Sequence, residues 1–200
     1  MIFGLGNPGR KYADTRHNAG FLVIDRLSQR WGAPVDQRQF GAEIGKALIG
    51  TRSSMLVKPQ SFMNLSGQPA ASIKGYYKAD NEDIVVIHDD LDIEFGDVRV
   101  KKGGGHGGHN GLRDINQKIG KDYVRVRVGV SRPPAQWDTA DYVLGTWSED
   151  QRGQLGAAVD RAADAVETIL RDGPAAAMNI YNTRPKSTRQ TSQLPSGDSE

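Results

Sequence analysis

The chain has 200 residues, a formal net charge of +2 and no cysteine. This length suits one domain that buries roughly 70% of the surface that its unfolded chain exposes. Such a domain needs no disulfide or structural metal for stability. The absence of cysteine excludes disulfides and thiolate metal sites. No basic segment followed by a long apolar stretch begins the chain, which predicts no signal peptide, and no run approaches the ~18 apolar residues of a membrane span.

The spacing of apolar residues predicts strands that alternate with helices. In chain order, the pattern indicates a strand over 2–5, a helix over 18–31, a hairpin of strands over 42–50 and 54–58, a helix over 67–77, strands over 83–88 and 98–101, a helix over 111–119, a strand over 123–130, and helices over 148–171 and 175–182. The long helix over 148–171 begins with a Ser-x-x-Gln capping pattern.

This alternation predicts a single-domain α/β/α sandwich around a mixed, mostly parallel twisted sheet over residues 1–182. Residues 183–200 are polar and lack periodicity, and are expected to form a disordered tail. Ligands of such sheets bind beyond the carboxyl ends of the strands. Asn7, Asn64 and Asp89 each follow a predicted strand, so we expect them to share one crevice.

A glycine-rich loop, GGGHGGHNG at residues 103–111, is the most informative segment. Glycine permits positive φ and close approach of a ligand, at a cost in conformational entropy. The alternative is a flexible linker, but linkers of this kind are normally rich in serine, and this one leads directly into a helical pattern. The loop therefore indicates a site where polar groups face a substrate.

Residues 4–9, GLGNPG, fit the Gly-x-Gly-x-x-Gly pattern of dinucleotide-binding turns. The context disagrees, because Pro8 removes an N–H group where a pyrophosphate needs one and no second strand ends in an acid about 20 residues later. We therefore expect these glycines to shape a turn that presents Asn7.

Positive charge is concentrated around the glycine loop. Between residues 97 and 134 the chain has nine basic residues against three acidic ones, an excess of six. Such a field attracts a phosphate-bearing partner, although an ordinary solvated face would show the same composition.

The candidate catalytic groups are a histidine and a carboxylate, because the chain has no cysteine and no Gly-x-Ser-x-Gly nucleophile. An imidazole can take a proton from water when a carboxylate such as Asp89 fixes its tautomer. Amides such as Asn7, Asn64 and Asn110 can donate to an oxyanion or bind substrate carbonyls. A metal site is the rival use of the histidines and acids at 88–90 and 106–109, but their spacing matches no specified zinc pattern.

Several motifs together resemble the bacterial peptidyl-tRNA hydrolase family. In order they are GLGNPG at 4–9, TRHNAG at 15–20, KPQSFMNLSG at 58–67, HDDLD at 88–92, GGGHGGHNGL at 103–112 and AMNIYN at 177–182. The resemblance spans about residues 2–182 and excludes the tail. Only the few residues that usually precede the first strand in this family are largely missing.

The resemblance implies an enzyme that hydrolyses the ester between a peptide and the 3′ end of tRNA. It implies His17 as the base that activates water and Asp89 as the group that orients it. The other implied site residues are Asn64 and Asn110 for substrate groups, Asn7 and Tyr12 around the 3′ end, Phe62 and Met63 in the peptide channel, and Lys101 and Arg127 for the 5′ phosphate of tRNA. Without the resemblance, His17 could equally be a structural histidine.

The family also implies a cytoplasmic monomer that needs no cofactor or metal, does not bind a membrane and has no obligate protein partner. One alternative remains within the same fold, a non-catalytic RNA-binding relative of the kind that assists intron splicing. The presence of His17, Asn64, Asp89 and Asn110 together favours the enzyme.

Overall fold

The computed structural model describes residues 1–49 and 52–183. The tail predicted over 183–200 lies outside the described residues from 184 onward, as do residues 50 and 51 of the hairpin turn. No helix in the described part of the chain is long and apolar enough to cross a membrane.

Within the described residues, seven strands form one sheet, with six α-helices around it. The strands are β1 (Ile2–Gly4), β2 (Gln37–Gln39), β3 (Ala42–Ile49), β4 (Arg52–Pro59), β5 (Val85–Asp90), β6 (Val98–Lys102) and β7 (Val124–Gly129). The helices are α1 (Ala19–Trp31), α2 (Gly67–Tyr77), α3 (Asn110–Ile119), α4 (Thr139–Leu144), α5 (Glu149–Asp172) and α6 (Pro174–Tyr181).

The strand order is β2-β3-β4-β1-β5-β7-β6. The four central strands β4, β1, β5 and β7 run parallel, whereas β2, β3 and β6 add antiparallel pairs at the two edges. The predicted fold, a mixed sheet with a parallel centre, is confirmed. Alternation along the strands sends Ile2 to one face of the sheet and Phe3 to the other.

Each face of the sheet carries its own hydrophobic core. Residues of α1, α5 and α6 pack on one face, and residues of α2 and α3 pack on the other. The result is the three-layered sandwich that the alternating pattern predicts.

Two elements had no sequence prediction, the edge strand β2 and the short helix α4. All three residues of β2 are exposed and polar, so no apolar alternation marks it. Helix α4 has only six residues and follows a proline-containing loop; its N-cap Asp138 accepts from two backbone N–H groups. This helix matters for function because it lines the cleft described below.

The glycines near the N-terminus allow α1 to lie directly on β1. A Cβ atom at Gly20 would lie 2.3 Å from the backbone N of Leu5 and 2.5 Å from the carbonyl oxygen of Ile87. A Cβ atom at Gly4 would lie 2.3 Å from the carbonyl oxygen of Gly20. Close packing therefore explains the first two glycines of the apparent dinucleotide pattern, Gly4 and Gly6, whereas the third, Gly9, has a positive φ of 100° in a turn. The packing also brings the turn before α1 next to the carboxyl end of β5.

Candidate active site

A buried cluster of two histidines and one aspartate lies at the carboxyl end of the parallel strands. His17 belongs to a one-turn 3-10 helix before α1, Asp89 lies near the end of β5, and His109 is the N-cap of α3. His17 Nδ1 is 2.9 Å from Asp89 Oδ1 and 3.1 Å from Oδ2, and His109 Nε2 is 3.0 Å from Oδ1. One carboxylate therefore binds two imidazoles from distant parts of the chain.

The hydrogen bonds determine which nitrogen carries the proton in each ring. His109 Nδ1 accepts from the backbone N–H of Leu112 at 3.3 Å, so its Nε2 carries the proton and donates to Asp89. His17 Nδ1 donates to the same carboxylate, which gives Nε2 of His17 the lone pair. An imidazole in this tautomer can accept a proton at Nε2.

Electrostatics favours a charged Asp89 and a basic His17. Burial lowers the pKa of His17, but the charge and hydrogen bond of Asp89 outweigh burial, so the pKa of His17 lies above its usual value. Burial raises the pKa of Asp89, but the neighbouring His17 and His109 outweigh it and hold this pKa well below its usual range. Burial and the charge of His109 lower the pKa of His88 to about 3, so that ring is neutral at neutral pH.

The glycine loop positions His109 in this cluster. Four glycines of the loop have positive φ, Gly103, Gly104, Gly107 and Gly108, in agreement with the sequence argument. The buried Arg125 of β7 donates to the carbonyl oxygens of Gly104 and Gly105 and so fixes the start of the loop. The loop is thus an ordered segment rather than a linker.

The three candidate amides have different surroundings. Asn7 is buried, and its Oδ1 accepts from the backbone N–H of Met63 at 2.7 Å, so its Nδ2 is the amide group that can face the cleft. Asn64 and Asn110 are exposed, and their side chains make no hydrogen bond within the described residues. All three line one cleft with the histidine cluster, and the strand-end argument predicts this for Asn7, Asn64 and Asp89.

This cleft has a volume of about 900 Å³. Its apolar lining includes Tyr12, Phe62 and Met63 from the sequence prediction, and Val143 and Leu144 from α4. The rings of Tyr12 and Phe62 meet edge to face with centroids 6.5 Å apart. The cleft therefore offers an apolar surface beside the amides and the histidine cluster.

The cleft continues to a basic surface at the edge of the sheet. Lys101 and Arg127 both line it, and they lie on the adjacent strands β6 and β7. Lys101 pairs in register with Arg125, so Lys101 and Arg127 are diagonal neighbours on one face, about 7–8 Å apart at Cα. Arg127 is also ion-paired through Nε to Asp90 Oδ2 at 2.7 Å.

The side chains that lie close enough to bind one metal ion differ from those that the sequence analysis considered. His106 does not join the cluster; its Nδ1 accepts from the N–H of Gly108 within the loop. The group of ligand types within 4.8 Å of one another is His17, Asp89 and His109. Asp90 accepts from the N–H of Asp92, in addition to its bond with Arg127.

Sequence reasoning missed two residues of the site. His109 was considered as a loop residue that faces the substrate and as a metal ligand, whereas it is the second donor to Asp89. Arg125 was counted as part of the basic surface, whereas it is buried and binds the glycine loop. The helix predicted over 111–119 makes Asn110 the expected cap, so no local signal marks His109, and a link between two histidines 92 positions apart needs the fold.

The fold and the cleft define an α/β enzyme with a histidine–carboxylate cluster beside a basic surface. The family model for peptidyl-tRNA hydrolase matches residues 1–190. The chain belongs to the peptidyl-tRNA hydrolase family, so the expected enzyme, which hydrolyses peptidyl-tRNA, is confirmed. A non-catalytic RNA-binding relative is not favoured.

Individual relatives agree with this assignment. The chain is 49% identical over 181 residues to the peptidyl-tRNA hydrolase of Rhodococcus opacus, covering 90% of this chain and 95% of the relative. It is 45% identical over 183 residues to that of Frankia casuarinae, covering 91% and 93%. The crystal structure of peptidyl-tRNA hydrolase from Acinetobacter baumannii is 37% identical and superposes with a TM-score of 0.86, covering 91% and 93% of the two chains.

Proposed function

We propose that His17 is the general base that activates water against the ester of peptidyl-tRNA, and that Asp89 orients it. The observation that carries this assignment is the pair of bonds from His17 Nδ1 to the buried Asp89 carboxylate, which gives Nε2 the lone pair on a ring that lines the cleft. A carboxylate in this position selects the tautomer and stabilises the imidazolium that forms.

In the proposed reaction, Nε2 of His17 takes a proton as water oxygen attacks the ester carbonyl carbon. The carbonyl oxygen becomes an oxyanion. When the oxyanion collapses, the bond to the 3′ ribose oxygen breaks, and that oxygen takes the proton from the imidazolium. The products are a peptide carboxylic acid, which ionises by losing its proton to solvent, and a tRNA with a free 3′ hydroxyl group.

The amides are assigned to the substrate carbonyls. Asn64 and Asn110 line the cleft, are exposed and donate to no other described residue through their side chains, so both are available to a ligand. We assign them to the developing oxyanion and to neighbouring peptide carbonyls. Oδ1 of Asn7 already accepts a hydrogen bond from Met63, so we assign its Nδ2 group to the region around the 3′ end.

The apolar side chains of the cleft are assigned to the two parts of the substrate that the scissile bond joins. Phe62 and Met63 line the peptide side of the cleft in this proposal, and Tyr12 contacts the 3′ end of the tRNA. An aromatic ring is suited to stacking on an unpaired terminal base.

Lys101 and Arg127 are assigned to the 5′ phosphate of the tRNA. Their shared face, their neighbouring strands and the continuity of this surface with the cleft support the assignment. We further propose that the enzyme acts in the cytoplasm as a monomer without cofactor, metal or protein partner. The mass of the purified protein in solution tests the monomeric state.

One assay tests the catalytic proposal as a whole. The purified protein is expected to release free tRNA from an N-acylated aminoacyl-tRNA and to leave the same aminoacyl-tRNA intact when its amino group is free. The chain should lose this activity when His17 is replaced, with tRNA binding retained. Equal cleavage of both substrates would overturn the assignment of the amides to a peptide carbonyl.

A further inference from the structure

Arg16, the residue directly before His17, connects two parts of the cleft. Its side chain is buried, with 7% of the residue exposed. One guanidinium nitrogen donates to the carbonyl oxygen of Tyr142 at 3.2 Å, and the other donates to Gln151 Oε1 at 2.9 Å. Its backbone N–H donates to the carbonyl oxygen of Gly145 at 3.2 Å.

The charge of Arg16 is stabilised without an acid. Among residues 1–49 and 52–183, no carboxylate forms an ion pair with it. The guanidinium carbon instead lies 4.2 Å from the centroid of the Tyr142 ring and 5.9 Å from that of Trp147. The carbonyl of Tyr142 also lies in the last turn of α4, where the helix dipole favours a cation.

Burying a cation costs free energy, so a cation is an unfavourable choice where a side chain only fills space. Taking a charged group out of water carries a large desolvation cost, and even a buried ion pair can often be replaced by apolar residues of similar volume without loss of stability. The directional bonds of Arg16 therefore point to a role in geometry, because packing alone needs only an apolar side chain.

The contacts of Arg16 lie on the wall of the cleft. Helix α4 lines the cleft through Thr139, Ala140, Val143 and Leu144. Helix α4 is also attached to the residue that follows β7, since the Tyr142 hydroxyl donates to the carbonyl oxygen of Val130 at 2.7 Å. Arg16 supplies a second attachment, between α4 and the turn that carries His17.

We propose that Arg16 is a positioning residue that fixes the α4 wall against the catalytic turn and so sets the width of the cleft around the peptide part of the substrate. When the Arg16 side chain is lost, the Tyr142 hydroxyl bond and the backbone bond from residue 16 to Gly145 remain, but α4 loses its side-chain attachment to the turn and can shift against it. His17 keeps both bonds to Asp89, so the base stays in place. The loss should therefore weaken substrate binding more than it slows the chemical step.

The test compares Arg16→Met and Arg16→Lys with the wild-type enzyme on N-acylated aminoacyl-tRNA. Arg16→Met keeps most of the apolar volume, and Arg16→Lys keeps the charge but can serve only one of the two acceptors. We expect KM to rise about tenfold in Arg16→Met, with kcat within about threefold of wild type. Hydrogen exchange of the α4 amides should be faster in both variants, while that of α3 should be unchanged.

A matched control is Arg26→Met on α1, where the arginine is partly exposed, ion-paired to Asp160 and remote from α4. It should leave KM and the exchange of α4 unchanged. Should Arg16→Met fail to fold, Arg16→Lys carries the same test. A loss of kcat with unchanged KM, or unchanged kinetics in a folded variant, would overturn the proposal. The inference rests on the proposed hydrolysis of the peptidyl ester. If the wild-type enzyme does not hydrolyse the substrate in this assay, the proposed function is wrong; if it does and the Arg16 variants behave like the wild type, only the role of Arg16 is wrong.

Discussion

The catalytic cluster and the basic surface lie in one cleft but are built differently. In the cluster, His17 and Asp89 are 8% and 3% exposed, and the carboxylate is bound by two imidazoles. On the basic surface, Lys101 is exposed and Arg127 is partly exposed, with a single ion pair to Asp90. The geometry of the cluster is therefore fixed before substrate binds, whereas the basic surface acts through charge and reach. Substitutions in the cluster should change kcat, and substitutions on the basic surface should change KM and the salt dependence of tRNA binding.

The largest expected effect is that of His17→Ala. Loss of the base should lower kcat by about 10²–10⁴-fold, the usual contribution of general-base catalysis. Binding of tRNA, measured by filter retention, should be unchanged, because the basic surface is intact. His106→Ala is the matched control: it removes an imidazole that lines the same cleft but makes no bond to Asp89. If the two variants lost activity equally, His17 would not be the base.

Asp89→Asn should have the next largest effect, and it should also shift the pH profile. The charge of Asp89 raises the pKa of His17, so in the wild type activity is lost as the pH falls through that raised value. Removing the charge lowers the pKa of His17, and the acidic limb of kcat/KM should move to lower pH. The rate should fall less than in His17→Ala. An unmoved acidic limb would mean that Asp89 only supports the end of β5.

His109→Asn separates the two imidazoles of the cluster. The asparagine can still cap α3, because its side-chain oxygen can accept from the N–H of Leu112, but its shorter side chain cannot also reach Asp89. With one donor to the carboxylate removed, we expect kcat to fall about tenfold and KM to stay the same. His106→Asn makes the same change within the same loop and should have little effect. A raised KM in His109→Asn would indicate direct contact with substrate instead of support for Asp89.

Sequence reasoning predicted the elements that have strong periodicity. Strands β5 and β7 and helices α1 and α5 were predicted to within two residues, because apolar spacing and the Ser148 cap mark them in the chain. It also predicted that Asn7, Asn64 and Asp89 share a cleft, because parallel strands end at one edge of a sheet.

The parts that could not be predicted depend on contacts between distant segments. The bond from His109 to Asp89 joins the N-terminus of α3 to the end of β5, which no local pattern encodes. Helix α4 is too short for periodicity, and the partners of Arg16 lie 126 and 135 positions away. The roles of the individual site residues remain predictions that the variants above would test.

On the basic surface, Lys101→Ala should raise KM for full-length tRNA substrates and change kcat little, since a remote phosphate contact is mostly uniform binding. The dependence of log binding on log salt should flatten by about 0.7–0.9. Lys102→Ala is the matched control, because it removes the same charge from the same strand on the opposite face, where Lys102 pairs with Glu82.

Arg127→Ala should resemble Lys101→Ala with one difference. It leaves the Asp90 carboxylate without its partner beside the cleft, so the repulsion of phosphate adds to the lost attraction and KM should rise further. A short substrate with the peptidyl ester but no 5′ phosphate should not respond to Lys101→Ala. Equal losses on the short and full-length substrates would show that these residues support the fold or the chemistry instead of a phosphate.

The smallest expected effect is that of removing metal ions. His17, Asp89 and His109 are the residue types that hold zinc, and their ligand atoms lie within 4.8 Å of one another. Their mutual distances of 2.9 and 3.0 Å are nevertheless those of N–H···O hydrogen bonds. A zinc ion between the same atoms needs bonds of about 2.0–2.2 Å to each, at a wide angle, which separates nitrogen from oxygen by more than 3 Å. It would also displace the protons that the two rings donate to Asp89, and with them the tautomer that makes Nε2 of His17 basic. We therefore expect full activity after exhaustive dialysis against EDTA, measured as release of tRNA. Activity that disappears in EDTA and returns with zinc or manganese would replace the histidine base with a metal-bound hydroxide.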